Sequence, residues 1–525
     1  MFGMLAAVLE EPRRRLSRVL GDPVHAGGHL GAAPQALRHA DGAVIGLRPG
    51  APVMERVGIL IVGAGPTGLG AAWRLNGLGH RDWLLCEAEQ DAGGLASSVL
   101  DEHGFTWDLG GHVQFSHYEH FDGLMDDLLG PDGWFHHERE SWIWVRGGFV
   151  PYPFQLNLHR LPPAERDACL EGLAQRSTNG RWPAHFGEWI DQSFGLGIAR
   201  VFLRPYNFKV WAYPPEELAW SWIGDRVAMV DMERVRDNVR LGRDDIPWGP
   251  NTRFRFPKRG GTGVVWRTLA ARLRDKHPGR LQMGRTLVRL DTAGHTAHFA
   301  DGGAVVYERL LSTLPLDTLV GLSDIEPALG PVLRHLRYSS THVIGIGLHG
   351  RPGPHLGGKC WIYFPEDDCP FYRVTVFSHY SPSNVPDATR YWSLMAEVSE
   401  SDVKVVDAGR VVEDTVEGLV RTGLIPGREA VHHVWHRRLE HGYPTPSLHY
   451  DRALDVALPA LEAYDVWSRG RFGAWKYEVS NQDHSFAQGV EAVEHWLLGA
   501  REMTLHEPET VNARRPTPRS AEALS

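Results

Sequence analysis

The chain has 525 residues, 42% of them hydrophobic and 19 of them Trp, enough apolar mass for more than one core, so two or three domains are expected. Its net charge of -9, with acids and bases interspersed, excludes a nucleic-acid footprint. Four cysteines (Cys86, Cys169, Cys360, Cys369) form no C-x-x-C pair and no metal spacing, and no apolar run reaches the ~18 residues of a membrane span, so a soluble cytoplasmic protein without a metal is expected.

Residues 1–55 run through Gly, Ala, Pro and His without sustained periodicity, and their arginines follow the short apolar patch, the wrong order for a secretory signal; they read as a disordered extension. Organisation begins with GILIVGAGPTGLGAAWRL, residues 58–75. Ile59–Val62 is an apolar strand, Gly63, Gly65 and Gly68 stand in G-x-G-x-x-G spacing, and an Ala- and Leu-rich helix follows. In that spacing Gly63 makes the tight turn, Gly65 admits a pyrophosphate to the backbone, and Gly68 lets the helix lie close on its strand. Free N–H groups at the helix start meet the phosphate charge. A second apolar strand, Trp83–Cys86, leads to Glu87, where an acid would bind a ribose hydroxyl. Strand, turn, helix and acid in this order predict a dinucleotide-binding unit.

Glycine pairs recur at Gly93-Gly94 and Gly110-Gly111, where backbone is expected to pass something flat or charged. The stretch 142–154 reads as a hairpin joined at Gly147-Gly148 that delivers Tyr152, Phe154 and Gln155 to one end of a sheet. From Pro162 to about Val235 the pattern is helical, and Pro205 is expected to stop the second helix and push Arg204 out of helical backbone. Gly260-Gly261-Thr262-Gly263 is either a second phosphate contact or a plain helix start. Short alternating strands follow at Leu287–Leu290, Ala297–Phe299 and Val305–Leu311, then four stronger ones within residues 341–400, which predict an antiparallel sheet. A helix (403–421), a strand (432–436), a Pro/Tyr loop (441–450) and a helix from near Ser485 close the pattern, and the tail after Glu507 reads as disordered.

Several of these stretches together resemble one family. GAGPTGLGAAWRLN, DLGGHVQFSHY, VPYPFQLN, RPYNFKVWA, CWIYFPEDDCPFYR, HGYPTP and WSRGRFGAWKYEVSNQDHSF are similar to motifs of the flavin-dependent UDP-galactopyranose mutases, in their eukaryotic-type branch, from about Val57 to Asn512. The resemblance implies an α/β fold. A Rossmann-like FAD-binding domain is assembled from 56–112, 255–312 and 437–506, with a mainly helical domain at 156–254 and an antiparallel sheet domain at 113–155 and 313–436. It also implies interconversion of UDP-galactopyranose and UDP-galactofuranose on reduced FAD without net redox change, flavin N5 attacking the anomeric carbon as UDP leaves. NADPH is the expected reductant, and the sequence sets no oligomeric state.

The same resemblance assigns residues. Arg204 and Arg373 match diphosphate arginines, a role suited to the forked guanidinium. Tyr363, Tyr443 and Tyr477 match phenols donating to those phosphates. Tyr152, Phe154, Gln155 and Trp189 fall where the family holds uridine, and Trp361 walls the sugar pocket. Gly63, Gly65, Gly68, Glu87, Gly94 and Ser97 take the adenosine and pyrophosphate end of the flavin. Gly111 and His112 match a mobile loop beside the isoalloxazine, Arg471 lies near the cofactor, and Asn481 and Gln482 sit where the last loop meets ring and sugar. No Ser-His-Asp set or paired acid is needed, because the cofactor is the nucleophile, and a carboxylate-poor pocket is expected around a dianion. Val230-Asp231 departs from the Pro-Asn pair of fungal members, so either Asp231 points away from the diphosphate or the flap closes differently. The alternatives are an oxidoreductase of the flavin amine oxidase or protoporphyrinogen oxidase type, which has no use for two diphosphate arginines, and a mutase acting on another UDP-sugar.

Overall fold

The structure, a computed structural model, describes residues 54–514 except 177–180, 247, 248, 250 and 251. The expected extension up to Val53 and the tail after Arg514 lie outside the described residues. Strands are numbered in chain order. The unbroken apolar runs β1 (Met54–Val62) and β2 (Trp83–Glu87) pair in parallel, as strands covered on both faces do. A small hairpin, β3 (Ser98–Leu100) and β4 (Thr106–Asp108), precedes β5 (Trp134–Glu138), β6 (Ser141–Val145), β7 (Gly148–Pro151) and β8 (Arg253–Pro257). The rest of the chain supplies β9 (Leu281–Met283), β10 (Leu287–Asp291), β11 (Thr296–Phe299), β12 (Ala304–Ser312) and β13 (Arg337–His349). It ends with β14 (Trp361–Tyr363), β15 (Arg373–Thr375), β16 (Tyr391–Glu400), β17 (Val431–Thr445) and β18 (Val466–Ser468).

Fourteen of these strands build two seven-stranded sheets, and β3 with β4 and β5 with β8 form two-stranded antiparallel pairs. The first runs β10-β11-β12-β1-β2-β9, with β18 beside β12. One core packs helices Pro66–Gly77, Gly263–Lys276 and Gln482–Leu498 on it, and a second core joins helices Leu316–Gly321 and Tyr450–Glu462 to it. Glycines set the closest approaches: a Cβ on Gly68 would stand 1.9 Å from the Gly63 carbonyl oxygen, and one on Gly489 1.9 Å from that of Thr67. Helix Pro66–Gly77 is therefore pressed onto both the turn before it and the C-terminal helix.

The second sheet runs β17-β13-β16-β15-β14-β6-β7 and is antiparallel except where β14 runs parallel to β6. In β13, Gly345 and Gly347 share one face, and a Cβ on them would meet the rings of Trp107 and Phe105 at 2.5 and 2.6 Å. Strand β4 is thus seated flat on the second sheet, and the chain leaving it, through Gly110 to His112, is held where the two sheets meet.

Several local expectations change. The β6–β7 turn is Arg146-Gly147, both left-handed at φ 53° and 71°, so Gly148 already belongs to β7; this primed geometry matches the strand twist. Strand β17 runs through Pro444 to Thr445, where a loop is expected, because an edge strand tolerates a residue without an N–H. The last long helix starts at Gln482, ahead of Ser485. Residues 508–512, expected in a disordered tail, are helical: Val511 is buried and Asn512 donates to the Glu478 carbonyl at 3.0 Å.

Candidate active site

A cavity of about 990 Å³ is lined from both sheets and from the helix Arg204–Trp211. At the carboxyl ends of β1 and β2 its wall is Gly63, Gly65, Glu87 and Gly94. Gly63 is left-handed at φ 106°, and helix Pro66–Gly77 opens with Gly65 and Pro66 and no capping side chain, leaving its first amides for an anion. A Cβ on Gly65 would find nothing nearer than the Gly93 carbonyl oxygen at 3.9 Å, so the cradle is open. Glu87 accepts the Ala64 N–H at 2.5 Å and the Glu89 N–H at 2.9 Å, and burial raises its pKa in spite of them.

Two residues expected at this wall are not part of it. Gly68 acts by packing, as above, and Ser97 only closes a turn back to Gly94 at 3.1 Å. The neighbouring Ser98 is turned inward, donating to Asp108 at 2.5 Å. Asp108 also accepts the Thr262 N–H at 3.1 Å and hydroxyl at 3.0 Å, while the Gly263 N–H donates to Ser98 Oγ at 2.7 Å. The Gly260–Gly263 segment is therefore a helix start sealed by a buried carboxyl, which burial pushes up to about 7, and not a phosphate contact.

Midway along the cavity, the Gly111 N–H donates to Glu397 Oε1 at 2.9 Å. His112 is enclosed, burial pulls its pKa down to about 4, and its Nδ1 has no hydrogen-bond partner among the described residues. Arg471 donates to Ser480 Oγ at 2.9 Å and to the Gly442 carbonyl at 3.2 Å, with its guanidinium 5.0 Å from the Tyr443 ring centre. Gln482 accepts from Gln114 Nε2 at 2.8 Å and Trp266 Nε1 at 2.9 Å, and Asn481 lines the cavity beside it. An open glycine cradle, an uncapped helix start and an orphaned buried imidazole nitrogen along one channel fit an elongated group with an anionic middle and a polar ring system, as FAD is.

Beyond His112 the wall is aromatic. Arg373 on β15 grips Glu397 on β16 through Nε at 2.9 Å and Nη2 at 2.7 Å to each carboxylate oxygen. Glu397 is 2% exposed and takes the Tyr372 hydroxyl at 2.5 Å as well. Burial works against the charge on Arg373, but the Glu397 carboxylate outweighs it and holds the guanidinium pKa well above its usual value. Tyr152, Tyr363, Tyr443, Tyr477, Trp361 and Gln155 share this wall. Trp361 Nε1 donates to the Tyr363 hydroxyl at 2.5 Å; Gln155 Nε2 donates to the Ala228 carbonyl at 2.6 Å, leaving its buried Oε1 without a partner among the described residues. Burial raises the pKa of Tyr152, Tyr363 and Tyr477, so these phenols stay protonated and can donate.

Four expectations at this end are corrected. Pro205 does not stop its helix: Phe186–Ile198 passes into a π turn, Ala199–Leu203, and continues as Arg204–Trp211, with Arg204 itself helical at φ -69° and ψ -53°. Proline sits in the first turn of the new segment, where no N–H is needed. Leu203, Tyr206, Asn207, Val210 and Trp211 then form the cavity face at helical spacing, and Arg204 falls off it. Instead Arg204 holds Asp191 with two bonds, 3.0 and 2.7 Å, and pairs with Glu216. Phe154 is fully buried, stacked 4.8 Å from Phe202 in the helical-domain core. Trp189 packs on Phe186 and Phe194 and lines a separate shallow groove beside Trp182 and Trp220. The wall, expected to be poor in carboxylates, carries one in Glu397, paired with Arg373. Asp231 turns back onto its own helix, accepting the Glu233 N–H at 2.9 Å as an N-cap.

Sequence reasoning missed Tyr206, Tyr372, Arg139, Arg226 and Glu397, all in the cavity wall. Glu397 had a signal: it is the acid inside the otherwise apolar run LMAEV, and a buried strand carries an acid only with a partner.

Residues 66–352 match the family model of flavin containing amine oxidoreductases. Among solved structures, the chain is 48% identical to a reduced UDP-galactopyranose mutase over 87% of this chain and 98% of that one, with a TM-score of 0.83. A chain assigned as a protoporphyrinogen oxidase from Exiguobacterium sp. 255-15 is 17% identical over 85% and 99%, TM-score 0.62. A putrescine oxidase bound to putrescine is 15% identical over 85% and 100%, TM-score 0.56. These last two share the fold alone.

Proposed function

The chain belongs to the UDP-galactopyranose mutases, within the flavin-containing amine oxidoreductases, and from that membership we propose how its residues interconvert UDP-galactopyranose and UDP-galactofuranose. The observation that carries the reading is the continuity of one cavity from the Gly63 turn to Arg373 and the tyrosines. A bound, reduced flavin supplies the nucleophilic nitrogen and the electron density for breaking and remaking the bond to UDP. Gly63, Gly65, Gly94 and Glu87 would hold its adenosine and pyrophosphate, and Gly111, His112, Arg471, Asn481 and Gln482 its ring end.

Arg373 binds the diphosphate of the substrate with donors not engaged by Glu397, and Tyr363, Tyr443 and Tyr477 add neutral donors. Because these groups contact UDP and not the sugar, they keep the departed nucleotide in place for its return. Tyr152 offers a ring face to the uracil, and the unpartnered Oε1 of Gln155 accepts its N–H. Trp361 confines the sugar, and Tyr206 takes the place on the helical wall first given to Arg204. His112 stays neutral, so it adds no cation to compete with Arg373 for the diphosphate. Glu397 is a positioning residue: it fixes the fork of Arg373 and, through the Gly111 N–H, the loop beside the flavin.

The finer assignments rest on the same membership: FAD as the flavin, NADPH as its reductant, and the three-part division of the chain. A cytoplasmic setting is supported by four buried free cysteines; no described helix is long and apolar enough to cross a membrane. The test is to incubate dithionite-reduced protein with UDP-galactofuranose and to follow UDP-galactopyranose by chromatography. Conversion by reduced protein alone is expected. No conversion, or equal conversion by oxidised protein, overturns the reading. Anaerobic bleaching of the yellow flavin by NADPH, absent with NADH at equal concentration, tests the reductant.

A further inference from the structure

We propose that Glu102, His103 and His433 form a site for one divalent transition-metal cation of the zinc class, away from the active-site cavity. Glu102 and His103 lie in the turn of the β3–β4 hairpin, and His433 is on the edge strand β17. One ligand atom from each lies within 4.8 Å of those from the other two. The His103 and His433 rings are 4.0 Å apart and tilted by 31°.

The three differ in freedom in a way that suits metal capture. His433 is held in place: its side chain is 15% exposed, and its Nε2 is buried without a hydrogen-bond partner among the described residues, although Asp101 Oδ2 lies 3.3 Å away. His103 and Glu102, at 43% and 77% exposure, stand on the turn and can swing toward that nitrogen. Asp101 holds the turn itself, accepting the His103 and Phe105 N–H groups at 2.9 Å each and Trp107 Nε1 at 2.7 Å. Its negative charge, with that of Glu102, favours a divalent cation beside His433.

Two imidazoles and one carboxylate, with water in the fourth place, make a tetrahedral set suited to zinc and its cobalt substitute and not to a hard cation such as magnesium. A cation there would tie the hairpin, whose strand β4 leads into Gly110–His112, to the edge of the second sheet. Among the described residues the other compact group is His117, Asp483 and His484; it is wholly buried, and His117 lines the active-site cavity, so that group belongs to the site already described.

The experiment uses the full chain, stripped with EDTA and titrated with cobalt chloride while the visible d–d absorption is read, and with zinc sulfate by calorimetry. One saturable site is expected, at least tenfold weaker in His103→Ala and in His433→Gln and unchanged in His295→Ala. Zinc should also raise the melting temperature of the parent and not that of the two variants. His103 sits on an exposed turn, so its variant folds without difficulty, and melting without metal checks this. Absence of saturable uptake, or uptake equal to the parent's in both variants, would overturn the site.

Discussion

Strand β15 and the helix Arg204–Trp211 each bring an arginine from a motif of the same family likeness toward one cavity, yet only Arg373 reaches it. On the strand, the pleat alternates faces: Arg373 and Thr375 point one way, Val374 the other, and Glu397 on the neighbouring strand stands opposite Arg373 to hold it. On the helix, one π turn precedes Arg204, the cavity face runs through Phe202, Leu203 and Tyr206, and Arg204 turns to Asp191 and Glu216. A motif specifies which residue types occur. Which face they occupy depends on the backbone that precedes them.

The most severe way to test this contrast is Arg373→Ala. Loss of a fixed cation at the diphosphate should lower kcat/KM by about 100–1,000-fold, or about 2.7–4 kcal/mol, the scale of a lost electrostatic stabiliser. Flavin should remain bound; turnover within threefold of the parent would remove Arg373 from the site. The adjacent pair Phe154 and Gln155 repeats the contrast on a smaller scale. Phe154→Ala should cost about 3–5 kcal/mol in denaturant unfolding as a core cavity forms. Gln155→Ala should cost less in unfolding, about 1–3 kcal/mol for the Ala228 carbonyl it leaves without a donor, and weaken UDP binding about tenfold, the worth of one hydrogen bond. If the two variants exchange these signatures, Phe154 faces the nucleotide after all.

Glu397→Gln sharpens the comparison on the strand side. The amide keeps the shape but loses the charge that clamps Arg373, so kcat should fall about 10–100-fold, on the scale of about 1.5–3 kcal/mol for charged hydrogen bonds. A change confined to KM would mean that Glu397 only helps binding and does not orient the reacting end.

Proton linkage gives a smaller effect at the same place. Burial lowers His112 and His484 to about 4 in the folded chain, against about 6.5 unfolded. Between these values the unfolded chain binds more protons, so stability is full above about 6.5 and is lost as pH falls toward 4. Asp108, raised to about 7, works the other way: its stability is full below about 3.9 and is lost as pH rises through 7. The readout is therefore the difference between parent and His112→Gln. The variant's melting temperature should fall less steeply between pH 6.5 and 4, and parallel profiles would show that His112 is not held neutral.

The glycine turn was legible because its demands lie within one strand and one helix: Gly63 needs a left-handed φ, Gly68 a bare face, and both follow from spacing. Most strands were legible from apolar runs of strand length, but β10–β12, read with the antiparallel half, join the first sheet, where β12 runs parallel to β1. What escaped depends on distant partners or on register. Nothing near Pro205 announces a π turn, and Phe154 follows Tyr152 and Pro153 with no local sign that its ring turns inward to Phe202. The Glu397 acid was visible, but its partners come from two distant places in the chain, Gly111 and the adjacent pair Tyr372 and Arg373.

Arg204→Ala carries the smallest expected effect and decides most about the helix. Each bond of Arg204 runs to a partly exposed carboxylate, Asp191 at 30% and Glu216 at 48%, and pairs open to water contribute about 0–1 kcal/mol. Unfolding should therefore shift by no more than that, and turnover should stay within about threefold, since Tyr206 and Asn207 keep the cavity face. The helix would in that case act as an aromatic wall and not as a second phosphate clamp. A loss of turnover equal to that of Arg373→Ala, with flavin retained, would instead mean that Arg204 leaves Asp191 for the diphosphate when substrate binds, and the helix and the strand would then be equivalent arms of one clamp.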